Sequence, residues 1–432
     1  MKELIHRLKG DKGIWGIVAL MALISFLPVF SASSNLAYTR HGSGNTLTYL
    51  IKHGVQMSIG LYIMYRIHKI PYSYFRGLSK ILLPLVYVLL VYTLLRGTKI
   101  DGANASRWIQ IPFVGITFQT SALAAIVLYI YVAHYLSKKR EAVITFKESF
   151  IYMWLPVFGV LALILPANFS TTALIFFMVC MLVYVGKYPL KYIAAILGSG
   201  FIALVFFILV AKAFPTLFPN RVDTWISRIE NFTGKKGEFK DDYQIEKAKI
   251  AIACGGMNGV GPGKSVQKNF LPQSSSDFIF AIIVEEWGLI GALGIMLLYF
   301  VLLARFVIQS QKTQNLFGRL LIIGLGFPII FQALINMSVA VELMPVTGQT
   351  LPLISSGGSS IWMTCISLGI IISVTKKEEE FAEEQAEKRE RDEVIERLID
   401  KHLQEEEEAR LAAELEANNP LEPILNSPDH AK

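Results

Sequence analysis

Residues 269–291 read NFLPQSSSDFIFAIIVEEWGLIG, and the fold follows from how this stretch changes character at Asp277. A serine-rich polar run ends at that acid, and from Phe278 onward the chain is apolar for long enough to enter a membrane as a helix. An aspartate at a helix start accepts unpaired backbone N–H groups and complements the macrodipole, so one reading of Asp277 is a cap. The same carboxylate also stands where water meets hydrocarbon, and that setting admits catalysis. Two more acids follow within the apolar run. Glu285 lies about 80° around the helix from Asp277 and about 12 Å further along it. Ionisable groups in a bilayer are costly unless paired or hydrated, so Glu285 and Glu286 either line a substrate groove or pair with a neighbouring helix.

The rest of the chain has the same bias. Of its 432 residues, 53% are hydrophobic and 17% charged, against about a quarter charged in soluble domains. Apolar runs near residues 14–31, 47–65, 81–95, 116–136, 150–165, 169–186, 190–213, 278–304, 319–340 and 353–374 give about ten spans. The expected architecture is an all-α polytopic membrane protein. It has a short cytoplasmic N-terminus at 1–13, a membrane domain at 14–374 with a large outer loop at 214–276, and a charged tail at 375–432, partly helical or disordered.

The net charge of +7 does not point to nucleic acid. Basic residues crowd into short loops, including Arg66, Lys69, Arg76, Lys138, Lys139, Lys187, Arg305 and Lys312, while the tail is acidic. The positive-inside rule places those loops in the cytoplasm and Asp277 on the outer face. The basic N-terminus then serves as the flank of a retained first span, and Pro28 with the following SASSN does not form a clean cleavage site. Three cysteines without CxxC spacing and seven scattered histidines support neither a disulfide framework nor a metal cluster.

The outer segments carry the remaining candidates. Val222, Trp225, Ile226, Ile229 and Phe232 recur at helical spacing, which predicts an amphipathic interfacial helix beside Arg221. A second helix-like run, DYQIEKAKIAIAC, leads into GGMNGVGPGKSVQK. There glycines exclude regular structure, and free N–H groups beside Lys264 and Lys268 can hold an anion or simply form a flexible loop. Arg107 and Trp108 suit an interfacial loop, by phosphate grip or by ordinary anchoring. The stretch NMSVAVELMPVTGQTLPLISSGGSS combines prolines, glycines and small polar residues at a helix mouth. Irregular backbone at that depth is tolerated where protein or water covers it, so this stretch is expected to line a cavity. Val394, Leu398, Leu411 and Leu415 give the tail a narrow apolar face that does not persist, so a solvated helix is the default and partner binding the alternative.

In order and spacing, a set of short motifs resembles the SEDS family, the FtsW and RodA group of polytopic peptidoglycan glycosyltransferases. They are Arg107-Trp108-Ile109; Tyr243-Gln244; Gly255-Gly256 through Lys264; Leu271-Pro272 before Asp277-Phe278-Ile279-Phe280-Ala281; Glu285-Glu286 with Gly288; Asn336; Pro345-Val346-Thr347-Gly348; and Ser355 through Ser360. The resemblance implies a SEDS-type fold of ten helices that polymerises lipid II at the outer face of the bacterial inner membrane. It implies that Asp277 is the general base. It assigns substrate contact to Arg107, Trp108, Arg221, Gln244, Lys264, Lys268, Glu285, Glu286, Asn336, Thr347, Ser356 and Ser359. A departing diphosphate needs positive charge, from Arg107, Arg221, Lys264 or Lys268, or from a divalent cation such as Mg2+ or Mn2+. A class B penicillin-binding transpeptidase and other divisome or elongasome membrane proteins are the implied partners, and the long tail leans toward the division branch.

Some positions depart from the family. Gln119-Thr120-Ser121 leads to Ala122 and Ala125 where the family commonly has a glutamate and a lysine, Asn168 replaces a frequent aspartate, and Val260 a frequent lysine. A mechanism relying on those charges is not carried over. Two readings stand beside the polymerase: a lipid flippase, and a scaffold for cell-wall machinery.

Overall fold

The computed structural model describes residues 9–41, 46–97, 108–110, 117–139, 144–213 and 240–417. They form α1 (Lys12–His41), α2 (Thr46–Ile67), α3 (Tyr74–Arg96), α4 (Thr120–Lys138), α5 (Phe146–Ile164), α6 (Phe169–Val185), α7 (Leu190–Ala213), α8 (Lys240–Gly255), α9 (Ile279–Lys312), α10 (Leu316–Ala340) and α11 (Ser359–Ala417). Among the described residues, seven helices are long and apolar enough to cross a membrane, and α6 is a shorter apolar helix. The chain is a polytopic all-α membrane protein. The helix expected at 222–232 lies outside the described residues, as do Arg107 and Arg221.

Side-chain placement shows what surrounds the bundle. On α3 the buried residues are Phe75, Ser79, Leu83, Val86, Leu90 and Thr93, one stripe at helical spacing. Its opposite face is also apolar, with Ile81, Val88 and Leu95 exposed by 74%, 65% and 75%. A helix apolar on both its packed and its open face is solvated by lipid. The bundle interior is formed by α4 and α10, which are buried along most of their length.

Several boundaries differ from the sequence reading. Residues Thr117–Gln119, expected inside the fourth span, pair antiparallel with Trp108–Gln110, with Trp108 opposite Gln119. This small hairpin, strands β1 (Trp108–Gln110) and β2 (Thr117–Gln119), moves the start of α4 to Thr120. Helix α5 contains a π-helical turn at Phe150–Trp154, just before Pro156, whose missing N–H disfavours regular α bonding there. The tight α5–α6 connection does occur, with Asn168 Oδ1 accepting the Thr171 N–H at 3.2 Å. The last span begins at Ser359 rather than 353, because Ser355 turns the chain: its hydroxyl accepts the Leu351 N–H at 2.8 Å.

The chain divides into two compact units, Met1–Lys377 and Glu378–Lys432. In the second, the described part is the helix ending at Ala417, and the described side chains from Phe381 to Leu415 are exposed.

Candidate active site

Helix α9 starts beside Asp277 and is broken at Gly288, whose φ of 66° and ψ of −162° are not helical. In an unbroken helix the N–H groups of Leu289 and Ile290 would bond the carbonyls of Glu285 and Glu286. Here Leu289 N–H donates to Gly256 O at 2.9 Å and Ile290 N–H to Met257 O at 3.4 Å. The released carbonyls accept the N–H groups of Val260, at 2.9 Å, and Gly261, at 3.0 Å. The glycine-rich loop after α8 therefore plugs the break and restores the backbone bonds that a membrane interior requires. Side chains are excluded from this contact: a Cβ on Gly259 would lie 2.2 Å from Glu286 O, and one on Gly288 2.3 Å from Met257 O.

The break separates two kinds of helix. Ile279 through Glu286 are all buried, whereas beyond Gly288 only Ala292, Ile295, Tyr299, Leu302, Phe306 and Ser310 face inward. The first segment is enclosed by protein, and the second is an ordinary bundle helix with one face on lipid.

Both glutamates are 1% exposed and turn into the loop. Glu285 Oε1 accepts the N–H groups of Val266, at 2.9 Å, and Gln267, at 3.2 Å, while its Oε2 accepts the Ser265 hydroxyl. Glu286 Oε1 accepts the hydroxyl of Ser31, from α1, and the Ser265 N–H at 3.3 Å. Lys268 Nζ donates to Ser31 Oγ at 3.3 Å and to Gly263 O at 2.7 Å. The sequence leaves these acids between a groove and a helix partner; in the structure Glu286 bonds a neighbouring helix through Ser31 of α1, and both acids also bond the glycine-rich loop through its N–H groups and Ser265. The N–H groups of Ser265, Val266 and Gln267 are thus answered from within the protein, by the carboxyl oxygens of Glu285 and Glu286.

Asp277 has a different environment. It is half-buried and sits one residue before the N-cap position of α9, which Phe278 occupies, on a run of turns that includes Gln273 in the left-handed region at φ 59°. The backbone of this run is clamped from several directions. Asn336 Nδ2, on α10, donates to Asp277 O and to Gln349 O, both at 2.7 Å. The Ser355 hydroxyl donates to Ser276 O at 2.6 Å and the Ser356 N–H to Ser275 O at 2.9 Å. Ser274 Oγ donates to Ala32 O at 3.3 Å. Elements from α1, α10 and the turn before α11 thus fix one short segment and leave its acid at the rim.

The other candidates scatter in purpose. Asn336, 1% exposed, and Ser359, fully buried and accepting the Gln119 N–H at 3.2 Å, hold backbone. Ser356 and Thr347 are half-buried on the segments flanking the Asp277 run, Gln244 is half-buried on α8, Trp108 is half-buried on β1, and Lys264 is exposed on the loop. Glu342 at the end of α10 pairs with Lys249 of α8 at 2.6 Å. Ala122 and Ala125 pack against the apolar core, and Asn168 caps α6 without charge. The sequence reading passed over Ser31 and Ser265, because lone serines carry no periodicity, and also Asp11. That buried acid is joined to Arg305 at the far end of α9, at 2.5 Å, caps α1 through the Ile14 N–H at 2.9 Å, and binds Thr375 Oγ1 through its own N–H at 3.1 Å.

Residues 11–380 match the profile of the FtsW/RodA/SpoVE family, described as cell cycle proteins. Among curated proteins, the probable peptidoglycan glycosyltransferase FtsW of Hydrogenovibrio crunogenus is 35% identical over 370 residues, covering 83% of this chain and 90% of the relative. Its counterpart in Pseudomonas fluorescens is 31% identical over 368 residues, covering 83% and 86%. Among solved structures, a chain of a peptidoglycan synthase complex that coordinates polymerization and crosslinking superposes with a TM-score of 0.65 at 25% identity, covering 85% of this chain and 98% of that one. The rod shape determining protein RodA of Thermus thermophilus superposes with a TM-score of 0.60 at 24% identity, covering 85% and 97%.

Proposed function

Since the chain belongs to the FtsW/RodA/SpoVE family of cell cycle proteins, and is by that membership a peptidoglycan glycosyltransferase, we propose that it polymerises lipid II at the outer face of the bacterial inner membrane during division. In this reading Asp277 takes the proton from an acceptor sugar hydroxyl. The freed oxygen forms a bond to the donor's anomeric carbon, whose bond to the undecaprenyl diphosphate breaks with the electron pair leaving on the diphosphate. The observation that carries the assignment is the contrast along one stretch: Glu285 and Glu286 are sealed against the loop, while Asp277 stands half-buried on a clamped, non-helical rim. A lipid substrate fits such a rim, with its sugar in water and its tail on the apolar face.

The departing diphosphate needs positive charge in the scheme, and exposed Lys264 is the loop's best-placed donor, Lys268 being engaged by Ser31 and Gly263. A divalent cation on the diphosphate would take most of its ligands from the phosphates and water, and no step is assigned to one. The outer-face orientation is supported by the basic loops at the other helix ends, and the division role by relatives that carry the FtsW name. Partnership with a class B penicillin-binding transpeptidase is supported by likeness to a chain of a synthase complex. The test is glycan synthesis from labelled lipid II by the purified protein with its transpeptidase. Chains from the wild type and none from Asp277→Ala support the reading; no chains from either favours a flippase or a scaffold.

A further inference from the structure

At the end of α9 remote from Asp277, where the chain turns into α10, a cavity of about 570 Å³ is lined by Lys139, Lys187, Lys191 and Arg319. These four cations come from three separate places: the end of α4, the turn between α6 and α7 with the start of α7, and the first turn of α10. Among the described residues only Lys139 of the four has an ion-pair partner, Glu148 at 2.5 Å. Arg319 donates through one terminal nitrogen to Thr313 O at 3.2 Å, and its Nε is enclosed without a hydrogen-bond partner among the described residues. Lys191 Nζ lies 5.0 Å from the centre of the Tyr192 ring, which also lines the cavity. Such a concentration of positive charge at the end of a membrane bundle calls for an anion.

The walls narrow the class of anion. Leu136, Val185 and Leu316 supply an apolar side to the same cavity. On the adjoining α7, Leu190 and Leu197 are exposed and seven residues apart, so they share one lipid-facing stripe leading away from the basic end. A free phosphate has no use for either feature, whereas a phosphodiester attached to acyl chains uses both.

We infer that this cavity binds the headgroup of an anionic phospholipid, with its phosphodiester against Lys187, Lys191 and Arg319 and an acyl chain along Leu190 and Leu197. The site is separate from the proposed catalytic rim, so its test does not depend on polymerase activity. Purified, delipidated protein in neutral detergent is titrated with phosphatidylglycerol, with phosphatidylcholine and with sodium phosphate, and bound lipid is counted by native mass spectrometry. Lys187 and Lys191 are exposed, so Lys187→Asn combined with Lys191→Gln keeps the fold, asparagine being suited to the left-handed backbone at position 187 (φ 58°). Phosphatidylglycerol is expected to bind saturably and phosphatidylcholine not to bind. The double variant should weaken phosphatidylglycerol binding roughly 30-fold, from two lost lipid-facing cations. Equal binding of the two lipids, or an unchanged double variant, overturns the inference. Displacement of the lipid by millimolar phosphate alone also overturns it and makes the ligand a free anion.

Discussion

Asp277 and Glu285 belong to one short stretch, yet their surroundings fit them for opposite tasks. Glu285, itself 1% exposed, holds three donors from residues 265–267, so its removal leaves the buried Ser265 hydroxyl and two part-buried N–H groups unanswered. Glu285→Ala is expected to destabilise the protein by about 3 kcal/mol and to lower its melting temperature, measured by thermal unfolding in detergent. The sequence exposed the cost of these acids in an apolar run but not their partners, because the answering groups are backbone N–H donors and the lone hydroxyls of Ser31 and Ser265, which no side-chain pattern reveals. Asp277 was legible for a different reason: an abrupt change from polar to apolar composition marks a boundary wherever the chain folds.

At the scale of elements, the deciding feature is the break in α9. A glycine in an apolar run reads as a tolerated helix residue, and the segment that repairs the break lies about 30 residues earlier, so periodicity predicted one continuous span over 278–304. The same limit applies to β1 and β2, whose pairing depends on two short segments finding each other. The ten apolar runs were legible because hydrocarbon thickness dictates their length, and each coincides with a helix whose ends differ by a few residues to about a turn, apart from α1, the start of α3 seven residues early at Tyr74, the start of α11 six residues late at Ser359, and the continuations of α9 to Lys312 and of α11. Gly288→Ala places a Cβ against Met257 O on a backbone that disfavours it. It is expected to release the loop at 256–268, seen as faster limited proteolysis there, with a stability loss of about 2–4 kcal/mol. Val260→Pro removes the N–H that answers Glu285 O and should open the same loop, whereas Val260→Ala should not.

For the molecule as a whole, the proposed chemistry requires Asp277 to face the outer side of the membrane. Orientation has a native probe, since Cys254 on α8 is exposed while Cys180 and Cys365 are buried. A membrane-impermeant maleimide added to intact spheroplasts is expected to label the protein, and Cys254→Ser to abolish that labelling. Labelling only after the membrane is opened would place α8, and Asp277 with it, in the cytoplasm. The Asp11–Arg305 pair ties the far end of α9 to α1 and to Thr375, and Asp11→Ala should lower the melting temperature while leaving lipid II binding intact. The role proposed for Asp277 is that of the base. Its most direct test is Asp277→Asn in the complex with the transpeptidase, with the initial rate of glycan synthesis, lipid II affinity and melting temperature measured on the same preparation. The rate is expected to fall about 100-fold to 10,000-fold, with affinity and melting temperature unchanged. A near wild-type rate, or a loss of rate that follows a loss of binding or folding, would contradict it.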